Sequence, residues 1–343
     1  MSARFDTGLV VGKFSPLHRG HLGLIQFAAA KCKRLVIVSY SSPEYPGCAA
    51  EQRERWLRAC APESVISVIT PEKVTQLQQA GMAVPDMPAN DASDNAQRQF
   101  MAAWLQRVLE VNVQAVFTSE AYGEGFAAAL SAHFGEQVMH VSYDPQRSRM
   151  PVSGTQLRQH WRTARQHLAL PVLDDWMPRL CLLGAESTGK STLTAWLAAW
   201  LDEPCVAEYG RELWEQRQGK LIYDDLLMIA EEQVRREQEA ACRARHWVIC
   251  DTSPLTTLFY SLALFAQAAP ALHHLSQRAY HKVFLSAPDF PMVQDGTRQD
   301  EAFRLRQHQW YVDTLNQRGI PYQLLSGPLE ERQASLKVAL LSG

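Results

Sequence analysis

The sequence has few of the features that would take a 343-residue chain out of the class of ordinary globular proteins. It has no apolar run of membrane-spanning length and no hydrophobic leader segment, so no membrane insertion is expected and a cytoplasmic location is. Neither charge is in excess: 34 Lys and Arg stand against 36 Asp and Glu, a formal net charge of −2. That balance provides no basic field for sequence-independent nucleic-acid binding, and any nucleotide partner should be small. The seven cysteines, Cys32, Cys48, Cys60, Cys181, Cys205, Cys242 and Cys250, are odd in number and never spaced C-x-x-C. Such scatter argues against a disulfide framework and a zinc site, and predicts reduced thiols, most of them in apolar surroundings. The 46% hydrophobic share is enough for two α/β domains, each with its own core.

The run Leu9-Val10-Val11 reads as a strand that ends at Gly12, followed by Lys13-Phe14-Ser15-Pro16-Leu17-His18-Arg19-Gly20-His21 and a helix carrying Leu22, Leu24, Ile25 and Phe27. Gly12 lets the chain leave the strand tightly, Pro16 stiffens the loop and Gly20 permits close backbone approach. Helix-start N–H groups favour anions, so His18 and His21 beside them can hold a phosphate and its developing charge. An isolated His pair would read as ordinary polar residues in a tight turn, but this order of Gly, Pro, His, Gly and His at a strand end favours a phosphate site. The next apolar run, Leu35-Val36-Ile37-Val38, completes a βαβ unit with a parallel, Rossmann-like sheet. Arg53 on the following helix either reaches phosphate across the sheet edge or lies on a solvated face. Residues 71–99 are polar and punctuated by Pro85 and Pro88, and read as a loop over the ligand. Ser119 and Glu120 follow a short strand at a position where open α/β sheets bind ligands, or form a plain turn. Ser153-Gly154-Thr155 with Arg158 marks a helix start with the inventory to grip outer phosphates.

Residues 170–178 contain Pro171 and Pro178 and no periodicity, and read as a linker between domains at 1–169 and 179–343. The second domain opens with the strand Leu180-Cys181-Leu182-Leu183 and the Walker A loop Gly184-Ala185-Glu186-Ser187-Thr188-Gly189-Lys190-Ser191, with Thr192 entering the helix. Loop N–H groups cradle phosphates, Lys190 neutralises them and the Ser191 hydroxyl ligates Mg²⁺. Glu208-Tyr209-Gly210-Arg211 ends a second short strand, where a kinase would meet its acceptor. The charged segment 223–245 reads as an exposed helix. Trp247-Val248-Ile249-Cys250-Asp251 is an apolar strand ending in a carboxylate, and Asp251 either holds Mg²⁺ or accepts the proton of a substrate hydroxyl. The segment from Ser286 to Arg298 reads as a lid over the transferring phosphate, with Arg304 and Arg306 behind it on a solvated basic face.

The G-x-F-x-P-x-H-x-G-H run at 12–21 and the S-x-T-x-x-R run at 153–158 resemble the nucleotidylyltransferase superfamily. Joined to a P-loop kinase, they resemble the NadR-type bifunctional enzymes, in which ribosylnicotinamide kinase is fused to nicotinamide-mononucleotide adenylyltransferase. Ser119-Glu120, the run from Pro151 to Thr155, Glu208-Tyr209-Gly210-Arg211, Asp251-Thr252 and Asp295-Gly296 with Arg298 extend the likeness along nearly the whole chain. The resemblance implies an H-x-G-H nucleotidylyltransferase fold followed by a P-loop kinase fold, both with parallel sheets. It implies that the second domain phosphorylates nicotinamide riboside with ATP and Mg²⁺, and that the first adenylylates the mononucleotide to NAD, releasing pyrophosphate. On that pattern His18 and His21 serve the α-phosphate and Lys13 and Arg158 the flanking phosphates, while Gly12, Phe14, Ser15, Pro16, Arg53, Ser119, Glu120, Ser153, Gly154 and Thr155 complete the first nucleotide site. Gly184, Glu186, Ser187, Thr188, Gly189, Lys190, Ser191 and Thr192 hold the kinase ATP, with Ser191 and Asp251 at the metal. Glu208, Tyr209, Arg211, Asp251, Thr252, Asp295 and Arg298 face the riboside and the lid.

Some relatives carry an N-terminal helix-turn-helix, whereas eleven residues precede Gly12 here, so DNA binding is not expected. Where the family often has tryptophans this chain has Met292, Asn90 and Ser93, which leaves Trp104 or Phe290 to stack on the nicotinamide ring, and Ser253 replaces an acidic residue common after Asp-Thr. Two other readings stay open: a sensor of NAD or ATP that reports to a partner such as a riboside transporter, and the same two reactions on another nucleoside. Homo-oligomerisation is compatible with either.

Overall fold

The computed structural model of the chain describes residues 4–146, 148–291 and 300–341. It divides into two compact units between Trp176 and Met177. In the first, β1 (Phe5–Gly12), α1 (Arg19–Ala29), β2 (Cys32–Tyr40), α2 (Ala50–Cys60), β3 (Val65–Ile69), α3 (Pro71–Gln79), α4 (Asp94–Arg107), β4 (Ala115–Thr118), α5 (Gly123–Phe134), β5 (Met139–Ser142), α6 (Gly154–His160) and α7 (Leu170–Trp176) follow one another. The five strands form a parallel sheet in the order β3-β2-β1-β4-β5. Unbroken apolar strands suit a sheet covered on both faces, and Leu9, Val10, Val36, Ile37, Val116 and Phe117 are fully buried. Helix α4 sets Phe100, Met101, Trp104 and Leu105 at helical spacing against Leu9, Val36 and Val116. Trp104 is thus a core residue whose indole N–H donates to Ser67 Oγ at 3.1 Å, and it cannot stack on a ligand.

Two expectations change here. The stretch 71–99 is about half helical, because Thr70 Oγ1 accepts the Lys73 N–H at the start of α3, Pro71 occupies its first turn and Ser93 caps α4. Open loop remains between the two helices. The expected linker is largely α7, which buries Val172 and Leu173. Asp175 accepts from Arg55 and from the Trp56 indole, and the Trp176 indole donates to Gly47 O at 2.9 Å, so this segment packs on α2 as part of the first unit. Pro171 falls in the first turn of α7, where its missing N–H costs nothing.

The second unit contains β6 (Arg179–Gly184), α8 (Lys190–Leu201), β7 (Cys205–Val206), α9 (Tyr209–Gln216), α10 (Tyr223–Arg243), β8 (Val248–Asp251), α11 (Pro254–Phe265), α12 (Pro270–Leu275), β9 (Lys282–Ser286), α13 (Glu301–Gln317), β10 (Gln323–Leu325) and α14 (Leu329–Leu341). Its parallel sheet runs β10-β9-β6-β8-β7. Helix α10 is not simply exposed: Leu226, Ile229, Ala230, Gln233, Glu237 and Ala240 form a buried face. The fully buried Glu237 carboxylate accepts from Arg278 at 2.7 Å and from the Tyr280 hydroxyl at 2.8 Å, which compensates its burial. In each unit the first strand lies at the sheet centre with later strands on both sides. The crevice at its C-terminal end is where such sheets bind ligands.

Candidate active sites

The loop after β1 delivers His18 to the N-cap position of α1 with extended backbone, φ −136° and ψ 168°. His18 Nδ1 accepts the His21 N–H and His21 Nδ1 accepts the His18 N–H, each at 3.4 Å, so the two rings cap the helix reciprocally. They stack with centroids 3.7 Å apart, and the Phe14 ring meets His21 edge-on at 5.0 Å. With both Nδ1 atoms accepting, this hydrogen-bond pattern assigns the neutral-ring proton to Nε2 on each, leaving that edge as a donor. Arg158 on α6 donates to Ser15 O and, at 3.0 Å, to Thr155 Oγ1, and stacks 3.8 Å over the Tyr45 ring. Gly154 permits this approach of the two loops, since a Cβ there would lie 3.2 Å from Ser15 O. Lys13 Nζ donates to Asn90 O at 3.2 Å.

These groups surround a cavity of about 530 Å³ lined by Gly12, Lys13, Phe14, Ser15, His18, His21, Ser119, Glu120, Ser153, Gly154, Thr155 and Arg158. Pro16, within the loop, is buried and does not line the cavity. Arg53 is neither a ligand contact nor solvated: fully buried, it donates to Cys48 O, to Ser39 Oγ at 2.7 Å and to Glu44 at 2.7 Å, and so braces the turn from behind. Asn90, in the stretch expected to lie over the ligand, lines the cavity, as do Tyr45, Gln97 and Arg98, which were not singled out. The polar run around Asn90 signalled a loop, but nothing local distinguished these side chains.

In the second unit Gly184 leaves β6 with φ +151°, and a Cβ there would meet Thr188 Oγ1 at 2.7 Å and Ser286 O at 3.0 Å. The loop is held by arginines distant in sequence. Arg304, 1% exposed, donates to Glu186 O, Ser187 O and Phe290 O at 3.1, 3.4 and 3.0 Å, and Arg332, equally buried, donates to Thr188 O at 3.1 Å. The expected solvated face at Arg304 is therefore wrong, because loop carbonyls need donors and only the folded chain brings α13 to them. Lys190 Nζ donates to Ala185 O at 2.8 Å. The Glu186 carboxylate accepts from the Tyr260 hydroxyl at 2.8 Å, and the Glu186 N–H donates to Gln307 Oε1 at 2.9 Å.

A cavity of about 320 Å³ is lined by Glu186, Ser187, Thr188, Gly189, Lys190, Ser191, Thr192, Glu208, Arg211 and Thr252, together with the unforeseen Trp214, Gln233 and Tyr260. Gly184, Tyr209 and Asp251 lie outside this lining. Asp251 is buried, and its Oδ1 has no hydrogen-bond partner among the described residues. Burial pushes its carboxyl up, while Lys190 and the Ser191 hydroxyl pull it down. Burial likewise pushes Glu208 up to about 6, opposed by Lys190 and Arg211 and reinforced by Asp251 and Glu186. Gln233 Oε1 accepts the Tyr209 N–H at 3.0 Å, and its buried Nε2 has no partner among the described residues. Phe290 lies against Arg332 and Arg304, with guanidinium carbons 4.8 and 5.9 Å from its ring centre, and does not line the cavity. Met292, Asp295 and Arg298 lie outside the described residues. Among the described residues the cysteines are free, Cys205 and Cys242 being exposed, no group of three or more His, Cys, Asp and Glu could hold a metal ion, and no helix is long and apolar enough to cross a membrane.

A parallel-sheet unit with paired helix-capping histidines, followed by one with a P-loop, defines a two-domain nucleotide-dependent transferase. Residues 9–160 match the cytidylyltransferase-like family and residues 179–332 the AAA domain family. The trifunctional NAD biosynthesis/regulator protein NadR of Salmonella typhimurium is 28% identical over 311 residues, 85% of this chain and 72% of that protein. A crystal structure of NadR protein in complex with NR superposes with a TM-score of 0.57 at 20% identity, covering 99% of this chain and 96% of that one. A second, of NadR protein in complex with NAD and AMP-PNP, gives 0.56 at 19% identity, covering 98% and 95%. Over most of its length the chain is thus similar to NadR proteins, and it is an enzyme.

Proposed function

We propose that the chain makes NAD in two steps: its second unit transfers the γ-phosphoryl group of ATP to the 5′-hydroxyl of nicotinamide riboside, and its first transfers AMP from ATP to the mononucleotide so formed. The observation that carries this reading is the presence in one chain of two cavities of different chemistry, one built on the reciprocally capped His18 and His21 and one on the P-loop. In the first, a phosphate oxygen of the mononucleotide attacks the α-phosphorus, and pyrophosphate leaves with the electrons of the broken bond. The Nε2–H edges of His18 and His21 meet charge on the α-phosphate, while Lys13 and Arg158 serve the flanking phosphates. Such a displacement needs positioning and charge stabilisation and no covalent nucleophile. The relatives' names and the NR, NAD and AMP-PNP of the related structures agree with these substrates.

Residues of the second unit fit Mg²⁺. The unpartnered, buried Oδ1 of Asp251 and the hydroxyl of Ser191 are hard oxygen donors, and Mg²⁺ takes few protein ligands besides phosphate oxygens and water. Bound there, Mg²⁺ would neutralise charge on the transferring phosphates. Lys190 supports the same phosphates, and Trp214 and Tyr260, rather than Trp104 or Phe290, are the rings available to the nicotinamide.

The test is chromatography of mononucleotide, NAD, ADP and pyrophosphate after incubation with ATP, Mg²⁺ and nicotinamide riboside. Lys190→Ala should remove riboside phosphorylation and leave adenylylation of added mononucleotide intact, and His21→Ala should do the reverse. Loss of both activities in either folded variant would refute the division of labour.

A further inference from the structure

The kinase reading leaves the proton of the attacking hydroxyl without an acceptor, and two carboxylates lie near enough to Lys190 to compete for it. Asp251 sits at the end of β8 behind the P-loop, buried, outside the cavity lining and beside the Ser191 hydroxyl. Glu208 lies on the cavity wall, half-buried, and its carboxylate makes no hydrogen bond with any described residue. A carboxylate on the wall of the cavity that is not tied up by protein donors is free to meet a ligand hydroxyl there. It is also held in place. Glu208 immediately precedes α9, and the N–H of the next residue, Tyr209, is tied at 3.0 Å to Gln233 Oε1 on the buried face of α10.

We propose that Glu208 is the catalytic base of the second unit, and that Asp251 serves the metal. The Glu208 carboxylate takes the hydroxyl proton as the hydroxyl oxygen forms its bond to the γ-phosphorus of ATP. The bond from that phosphorus to the β–γ bridging oxygen breaks, ADP leaves with the electron pair, and the proton passes from Glu208 to solvent. Lys190 and Arg211 favour the charged carboxylate, while burial, Asp251 and Glu186 oppose it, and the Glu208 charge in turn raises the Tyr260 hydroxyl. The balance puts the group at about 6, ionised at neutral pH yet basic enough to accept a proton.

The inference rests on the kinase reading, and steady-state kinetics with several ribosides separate the two. Glu208→Gln should lower the phosphorylation kcat by roughly 10²- to 10⁴-fold, the usual worth of general base catalysis. It should also abolish the acid limb of the kcat profile near pH 6 and leave AMP-PNP affinity within about threefold. Glu208→Asp should keep the acid limb at reduced rate. Asp251→Asn should instead raise the Mg²⁺ concentration needed for half-maximal turnover. A Glu208→Gln enzyme with turnover within fivefold of the parent, or one that is slow but retains the acid limb, overturns the assignment while the kinase reading stands. Failure of the parent enzyme to phosphorylate any riboside overturns both.

Discussion

The two duties of His18 sit on opposite edges of one ring, so they should separate by substitution. Nδ1 caps α1, His18 lines the cavity, and Nε2 is the edge that the adenylyltransferase reading assigns to the α-phosphate. His18→Ala removes both. Replacing a good N-cap by alanine costs roughly 0.5–2 kcal/mol, and the 3.4 Å length of this bond places it toward the lower end, about 0.5–1 kcal/mol. For a unit of this size that is a fall in Tm of roughly 1–4 °C. Loss of one donor to the developing charge costs about 3–4 kcal/mol, or roughly 10²- to 10³-fold in turnover. Asparagine carries an oxygen close to the position of Nδ1 and is itself a strong N-cap residue, but it has nothing at the place of Nε2. His18→Asn should therefore melt within about 1 °C of the parent protein while its adenylylation stays as slow as that of His18→Ala. Scanning calorimetry and pyrophosphate release from ATP and mononucleotide measure the two effects. An asparagine variant that melts like the alanine one, or that turns over within tenfold of the parent, would show that the ring does not work as two separable edges.

Glu208 also shapes stability. Its carboxyl titrates higher in the fold than in the unfolded chain, so the cost of ionising it is absent below about pH 4.5 and complete above about pH 6. Its rise from 4.5 to about 6 corresponds to at most about 2 kcal/mol, and its half-buried position reduces that to about 1–2 kcal/mol. Glu208→Gln should accordingly raise the Tm of the second unit at pH 7.5 and flatten its decline between pH 4.5 and 6, as followed by calorimetry across that range. Arg304→Ala should remove one donor from each of the carbonyls of Glu186 and Ser187, costing about 1–3 kcal/mol and weakening AMP-PNP binding measured by titration calorimetry. Trp104→Phe should lose the bond to Ser67, about 1 kcal/mol by denaturant titration, with mononucleotide KM unchanged, because that ring belongs to the core.

Both phosphate loops were legible in the sequence because their chemistry is local. A strand, a glycine and a helix start within ten residues fix the backbone of each loop. The roles of Arg53 and Arg304 were not legible for the opposite reason. Arg53 and Arg304 look like surface cations until Cys48, Lys13 and the P-loop carbonyls are brought around them, and those partners are up to 118 residues away. Gln233 was hidden differently, within a charged helix whose buried face shows only when Leu226, Ile229 and Ala230 are taken together with it. The helix at 170–176 was obscured by Pro171, which breaks a helix interior but is harmless in a first turn.

The tie from Arg332 to the Thr188 carbonyl spans 144 residues, and the same guanidinium bonds Ala287 O and Asp289. As the chain leaves the ribosome, the ATP loop is therefore among the first parts of its unit to emerge and among the last to be secured. The ties of Arg332 to Thr188 O and Ala287 O can form only once residue 332 has cleared the exit tunnel, so this part of the loop's bracing is added after the rest of the unit has been made.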